Sequence, residues 1–336
     1  MNRQDNASIV LVTAVRLAPE AVTMLEQAGL VPVFTAAYPD EITLIETIRA
    51  HRPIALLHRQ GRITGAVLDA AAPLLRVVAR HGAGIDGIDV DAARARDITL
   101  VRAAGANAPA VAEHTMALLL ALLKDLPSIA AGMREGRWEK TSRVTRDVEG
   151  LSLGIIGYGA IGSRVARLAA AFGARILAYD PYLPGAGLPG PGERCADLLA
   201  MLERCEALTV HCPLNDETRG MIAAAALAAL PQGALVVNAA RGGIVDEAAL
   251  LDALNAGHIA AAGIDVFETE PLPAENGLRF HPHVIATPHV AASSRLGGIA
   301  MASGAAEAII AVLAGREPAL ANAVVVPGAM LGGRCF

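Results

Sequence analysis

Leu151-Ser152-Leu153-Gly154-Ile155-Ile156-Gly157-Tyr158-Gly159-Ala160-Ile161-Gly162 opens the stretch that decides the fold; it ends at Arg175-Ile176-Leu177-Ala178-Tyr179-Asp180. Leu153, Ile155 and Ile156 read as a buried strand, and Val165, Ala166, Leu168, Ala169 and Phe172 recur at helical spacing. A Gly-x-Gly-x-x-Gly turn joins them, and a second strand ends at an acid. That order is the dinucleotide-binding fingerprint in the context its chemistry requires. Gly157 permits the tight turn, Gly159 lets the backbone approach a pyrophosphate, and Gly162 lets helix and strand pack closely. The helix start offers unpaired N–H groups and partial positive charge to the phosphates. Gly157, Tyr158, Gly159, Ala160, Ile161 and Gly162 are therefore the expected cofactor contacts. Asp180 would accept hydrogen bonds from the adenosine ribose and repel a 2′-phosphate, which favours NAD over NADP.

The 336 residues suffice for two domains. Hydrophobic residues make up 54% and aromatics only 3%, which suits helices packed on buried parallel strands and argues against disorder. A net charge of -5 without a long basic block gives no reason to expect a nucleic acid or an anionic membrane as partner. The apolar runs Met116–Leu123 and Met221–Leu230 are of helix-core size, so no membrane span is expected. Ile9–Val12 is too short for a signal peptide, and the expected location is cytoplasmic. Cys195, Cys205, Cys212 and Cys335 show neither metal nor redox spacing; they read as reduced thiols, with no metal site.

Strand-like and helical runs alternate from Ile9 to Val101, predicting an α/β unit with a parallel sheet and helices on both faces. A long helix from Asn107 to Leu123 follows, with Glu113 and His114 on an otherwise apolar segment. The polar, basic stretch Arg134–Arg146 holds Trp138, the single tryptophan. Beyond Asp180, Pro181–Gly192 reads as a loop, and the alternation resumes until a last strand at Val284–Ala286. A helix over Leu296–Leu313 precedes a tail, Ala319–Phe336, without pattern.

In an open parallel sheet, ligands bind outside the carboxyl ends of the strands. Four such ends carry chemical groups: His211-Cys212-Pro213, Asn238-Ala239-Ala240-Arg241-Gly242, Asp265 to Pro271, and Thr287-Pro288-His289. Hydride transfer to a carbonyl leaves an alkoxide that needs a proton donor, which His289 can supply near neutrality. Glu270 behind the imidazole would fix its tautomer, and the planar fork of Arg241 suits a substrate carboxylate.

These segments, with Ala79-Arg80-His81-Gly82-Ala83-Gly84-Ile85-Asp86 and Asn107 to Thr115, resemble the D-isomer-specific 2-hydroxyacid dehydrogenases from about Leu56 to Pro327. The resemblance implies two doubly wound parallel-sheet α/β domains with a cleft between them. A Rossmann-type NAD domain would span 105–291, and a flavodoxin-like substrate domain 1–104 and 292–336, with a hinge at the Asn107 helix and near Ser294. It implies Arg241, Glu270 and His289 as the catalytic set and Asp265 as the contact to the nicotinamide carboxamide. His211, Cys212, Pro213, Thr218, Ala239 and Ala240 would be further cofactor contacts. Backbone N–H groups at Ala83 and Gly84 would hold the substrate carboxylate, with Asn107 near the substrate. Arg59 falls where some phosphoglycerate dehydrogenases face a phosphate, and His58, Arg62, Arg80 and His81 would add to a cationic neighbourhood. The implied substrate is a small anionic 2-keto or 2-hydroxy acid of the hydroxypyruvate, glyoxylate or 3-phosphoglycerate type. The implied assembly is a homodimer through the NAD domain, near Trp138. The competing function is a non-enzymatic NAD(H)-sensing protein of the corepressor kind.

Overall fold

The computed structural model describes residues 8–185, 187–319 and 322–327. The first part of the chain runs β1 (Ser8–Val12), α1 (Pro19–Gln27), β2 (Leu30–Phe34), α2 (Glu41–His51), β3 (Ala55–His58), α3 (Gly65–Ala71), β4 (Val77–Arg80), α4 (Val90–Ala95), β5 (Thr99–Arg102). The middle begins with α5 (Ala108–Leu123), α6 (Leu126–Arg134), β6 (Ser152–Ile156), α7 (Gly162–Ala171), β7 (Arg175–Tyr179), β8 (Glu193–Arg194). It continues with α8 (Leu198–Leu202), β9 (Ala207–Val210), α9 (Ala224–Ala229), β10 (Ala234–Asn238), α10 (Glu247–Asn255), β11 (Ile259–Ile264), β12 (Val284–Ala286). The chain closes with α11 (Arg295–Leu313) and β13 (Ala323–Val325).

Two compact units result, one ending at Asn107 and resuming at Arg295, the other spanning Ala108–Ser294. These cuts lie a few residues from the expected 104 and 292. The first unit's sheet has the order β13-β5-β4-β3-β1-β2, the flavodoxin-like arrangement with its switch point between β1 and β3. It is parallel except for β13, which pairs antiparallel with β5. The tail, expected to have no pattern, thus contributes an edge strand. The second unit's order, β12-β11-β10-β9-β6-β7-β8, is the Rossmann arrangement with β12 added at one edge, all parallel, with its switch point between β6 and β9.

Strand alternation builds each core. Val10, Val12, Leu57, Val77, Ala79 and Val101 face α1 and α11, while Leu11, Leu56, Val78 and Leu100 face the opposite helices. In the second unit Leu153, Ile155, Leu235 and Val237 pack toward α5 and α7; Leu208, Val210, Val236 and Ile264 pack toward α8, α9 and α10. Helix starts are set by Asp40, Thr64, Asp89, Asp197 and Asp246, each accepting a hydrogen bond from the backbone three residues on.

The structure corrects two further expectations. Helix α6 is not among the expected elements; Pro127 stands in its first turn, where proline is tolerated. The longest apolar helix is α11, whose 19 residues suffice by length and composition to cross a membrane. It packs against α1, β3, β4 and β5 with Met301, Ala302, Ala305, Ala306 and Ile309 buried, the behaviour of a core helix. Cys195, Cys205 and Cys212 are free thiols, as read; Cys335 lies outside the described residues. Among the described residues no cluster of His, Cys, Asp and Glu could hold a metal.

His58 and His81 are buried and His211 is half-buried, each at the carboxyl end of a strand, and all three are held neutral. Burial, assisted by the Arg80 charge, depresses His58 to about 3. Burial with Arg59 and Arg80 depresses His81 to about 4, and burial alone takes His211 to about 3. A cationic role for His58 and His81 is therefore corrected: arginines carry the charge.

A Cβ on Gly154 in β6 would lie 2.3 Å from Cys205 Sγ. Gly154→Ala should cost about 1–3 kcal/mol in denaturant unfolding, and Cys205→Ala should recover part of it as a favourable coupling in a double-mutant cycle. The neutral His58 contributes stability that is complete above pH 6.5 and is lost as pH falls toward 3, because only the unfolded chain then takes up the proton. Wild type should lose up to about 1.4 kcal/mol per pH unit more steeply than His58→Gln over that window; parallel curves would refute it.

Candidate active site

The nucleotide turn is shaped by close backbone packing. Gly157 has φ 84°, and a Cβ there would meet Cys212 N and His211 C at 2.8 Å. A Cβ on Gly162 would lie 2.0 Å from Gly157 O. At Gly159, by contrast, a Cβ would meet nothing within 4 Å, so the outer face of the turn is open. No side chain caps the start of α7 at Ile161, and among the described residues the N–H groups of Gly159, Ala160 and Ile161 donate to no protein acceptor. Open backbone donors at the start of a ten-residue helix are what a pyrophosphate requires. These residues fit the expected dinucleotide.

Asp180 ends β7 beside this turn. Its Oδ2 accepts from Tyr158 N at 2.8 Å and its Oδ1 from Tyr182 N at 3.0 Å, leaving each oxygen one further acceptor position. Tyr158 is buried, and its hydroxyl donates to Pro191 O at 2.6 Å, so this side chain anchors the loop after β7. His211 is half-buried, with Nε2 3.0 Å from Thr209 Oγ1 and Nδ1 without a partner among the described residues. Cys212 and Pro213 continue from it along the turn. The Thr218 hydroxyl is taken up locally, donating to Pro213 O at 2.6 Å and accepting from Asn215 N at 2.9 Å. Thr218 therefore shapes the loop after β9, and one acceptor position remains on its hydroxyl for the expected cofactor contact.

Beyond β10, Asn238 Oδ1 accepts from Ala240 N at 3.0 Å and its Nδ2 donates to Arg241 O at 2.9 Å. This buried side chain fixes the Ala239-Ala240-Arg241 turn. Gly242 allows that turn to press on the next one, since a Cβ there would lie 2.0 Å from Phe267 C. Arg241 donates from NH1 to Ala240 O at 2.6 Å.

His289 Nδ1 lies 2.8 Å from Glu270 Oε2, and Glu270 Oε1 accepts from Phe267 N at 3.1 Å. Burial pushes the Glu270 carboxyl up, but hydrogen bonds from His289 and Phe267 and the charges of His289 and Arg241 outweigh it and hold it below the usual range. Glu270 is thus an ionised acceptor: Nδ1 carries the proton toward it, and Nε2 is left to exchange protons. His289 has φ 52°, a left-handed conformation that a non-glycine residue adopts only when its surroundings impose it.

Asp265 has no exposed surface. Its Oδ1 accepts from Thr287 Oγ1 at 2.6 Å and Val290 N at 2.9 Å, and its Oδ2 from Ala291 N at 2.9 Å. The expected carboxamide contact is thereby confined to the one acceptor position left on Oδ2. Asp265 acts first on the loop that carries His289. The residues sequence reasoning overlooked here, Asn238 and Thr287, stand inside motifs it quoted; a buried polar side chain beside a charged one was the available signal.

The first unit gathers its own candidates at the carboxyl ends of β3 and β4. Arg80 donates from Nε to Gly84 O at 2.8 Å and from NH1 to Arg59 O at 2.7 Å. Arg102 NH1 reaches Ala83 O at 3.5 Å. With both carbonyls drawn toward guanidinium groups, the N–H groups of Ala83 and Gly84 donate to no protein acceptor among the described residues. Arg59 is exposed next to the β1–β3 switch point, its N–H on Thr13 Oγ1 at 2.9 Å. Asn107, the last residue of this stretch, has a side-chain oxygen without a partner among the described residues.

Residues 116–291 match the family described as D-isomer specific 2-hydroxyacid dehydrogenase, NAD binding domain. Over 306 residues, 91% of the chain, 40% are identical to a D-3-phosphoglycerate dehydrogenase of Mycobacterium tuberculosis, of which 57% is covered. The chain thus spans little more than half the length of that relative. A hydroxypyruvate reductase of Thermotoga maritima is 38% identical over 72% of this chain and 78% of its own length. The crystal structure of a Thermus thermophilus protein matches with a TM-score of 0.86 at 34% identity, covering 94% of this chain and all of that one. The chain belongs to the D-isomer-specific 2-hydroxyacid dehydrogenases, with residues 116–291 forming its NAD-binding domain.

Proposed function

We propose that the chain is an NAD-dependent dehydrogenase interconverting a small 2-keto acid and its D-2-hydroxy acid. The observation that carries this reading is the 2.8 Å His289–Glu270 pair, with the Arg241 charge acting on the same carboxylate. NADH, held by the Gly157–Gly162 turn and Asp180, would supply the hydride to the substrate carbonyl carbon. In that direction His289 gives the proton at Nε2 to the carbonyl oxygen, and Glu270 stabilises the charged ring before transfer. Arg241 holds the carboxylate and draws charge toward the carbonyl oxygen. The open N–H groups of Ala83 and Gly84 also suit a carboxylate, and the exposed Arg59 suits a further anionic group, so hydroxypyruvate, glyoxylate and 3-phosphohydroxypyruvate are the acids to try. The assembly we infer is a homodimer through the NAD domain. Its support is the apolar surface of Leu126, Met133, Trp138 and Val144, exposed at 52%, 52%, 77% and 96% on and after α6.

NADH oxidation against those three acids tests the reading directly. His289→Ala should lower kcat about 10²- to 10⁴-fold and leave NADH binding intact; loss of NADH binding would mean a structural histidine. Silence of the wild type on every acid, with NADH still bound, would favour a sensor. Because the Asp180 carboxylate also holds two backbone N–H groups, Asp180→Asn is the cleaner probe of the ribose contact. It should raise the NADPH-to-NADH ratio of kcat/KM about tenfold or more, and an unchanged ratio would overturn that assignment.

A further inference from the structure

We infer that His114 is a positioning residue for His289, acting through Thr287 and Asp265; this rests on the acid–base role proposed above. His114 stands in α5, and its Nε2 lies 3.2 Å from Thr287 Oγ1 and 3.5 Å from Asp265 Oδ1. Thr287 has a single hydroxyl proton, and it goes to Asp265 Oδ1 at 2.6 Å. Its oxygen can then only accept from the imidazole, so His114 carries its proton on Nε2 and donates toward both groups. The Asp265 carboxylate, with no exposed surface, thereby draws donors from α5, from the Thr287 side chain and from the backbone of Val290 and Ala291.

His289 lies in the middle of this clamp. Its own N–H donates to Asp265 O at 2.8 Å and Thr287 O at 3.0 Å, and its left-handed φ is imposed by residues held on both sides. One turn earlier on α5, Val111 packs against Ala239 and Ala291. Val111 and His114 are three residues apart and share a helix face. The same face thus touches the loop that bears Arg241 by apolar contact and the loop that bears His289 by hydrogen bonding. Removing the imidazole takes away the donor from α5 that holds the Thr287 oxygen and leaves that side chain tied down by its bond to Asp265 alone. The His289 ring would then lose its fixed aim while Arg241 and the nucleotide turn stay as they are.

The test compares His114→Leu with His114→Gln, whose amide N–H can take the place of Nε2–H. His114→Leu should lower kcat about ten- to hundredfold, with NADH affinity unchanged, and His114→Gln should restore most of it. Nitrogen-15 histidine NMR of the wild-type protein should show His114 protonated on Nε2, and the His289 Nδ1–H resonance should broaden or move in His114→Leu and persist in His114→Gln. Equal kcat in all three proteins, equal loss in both variants, or a His114 bearing its proton on Nδ1 would overturn the inference. If the wild type turns over no 2-keto acid, the proposed function fails, and the Nδ1–H resonance decides the positioning role on its own.

Discussion

The second unit depends on one buried carboxylate. Asp265 follows β11 and accepts from three places on the segment after β12, with His114 of α5 close behind. A carboxylate without exposed surface must be matched by donors or it destabilises the fold, so these donors are obligatory. Their arrangement forces the chain at residue 289 into a conformation it would otherwise avoid. The strain is local, and the site that chemistry needs is where it falls. Stability and the aim of the acid–base group therefore draw on the same hydrogen bonds.

Both units follow one rule: chemistry gathers where strand order reverses, outside the carboxyl ends of the strands. In the second unit the reversal lies between β6 and β9, and the glycine turn occupies it. In the first it lies between β1 and β3, where Thr13 accepts from the Arg59 backbone. The charge logic differs. The nucleotide turn relies on open backbone donors, whereas the first unit uses guanidinium groups to pull carbonyls away and expose N–H groups. Burial meanwhile silences His58 and His81, so proximity of basic residues in sequence overstates the charge present.

Much of this was legible in the chain itself. The glycine spacing, the alternation of strands and helices, and the groups at successive strand ends each reflect a local requirement, and local requirements leave local patterns. The Gly157 and Gly162 positions show why: each sits where an added methyl group would strike backbone. Other features were hidden because their cause is distant. The run around Val325 is too short to read as a strand by composition; its pairing with Leu100 and Val101 makes it one. The two-residue β8 exists through pairing with β7. Asp265 reads as a ligand by motif, while its partners lie 22 to 26 residues on in the chain. Thr218 reads as a contact, and its hydroxyl also closes its own loop through Pro213 and Asn215.

The order in which the units are written into the chain has a consequence for how the protein is made. The chain leaves the first unit at Asn107 and returns at Arg295, and α11 covers the face formed by Val10, Val12, Leu57, Val77 and Val101. A ribosome working at about 5–20 residues per second would take on the order of ten to forty seconds to cross the insertion. Throughout that interval the earlier-made sheet has an uncovered apolar face, and by its end the unit begun later has all its strands and can close first. Synthesis order and completion order are reversed, and the nascent chain's exposure to aggregation and to chaperones is concentrated in its first hundred residues.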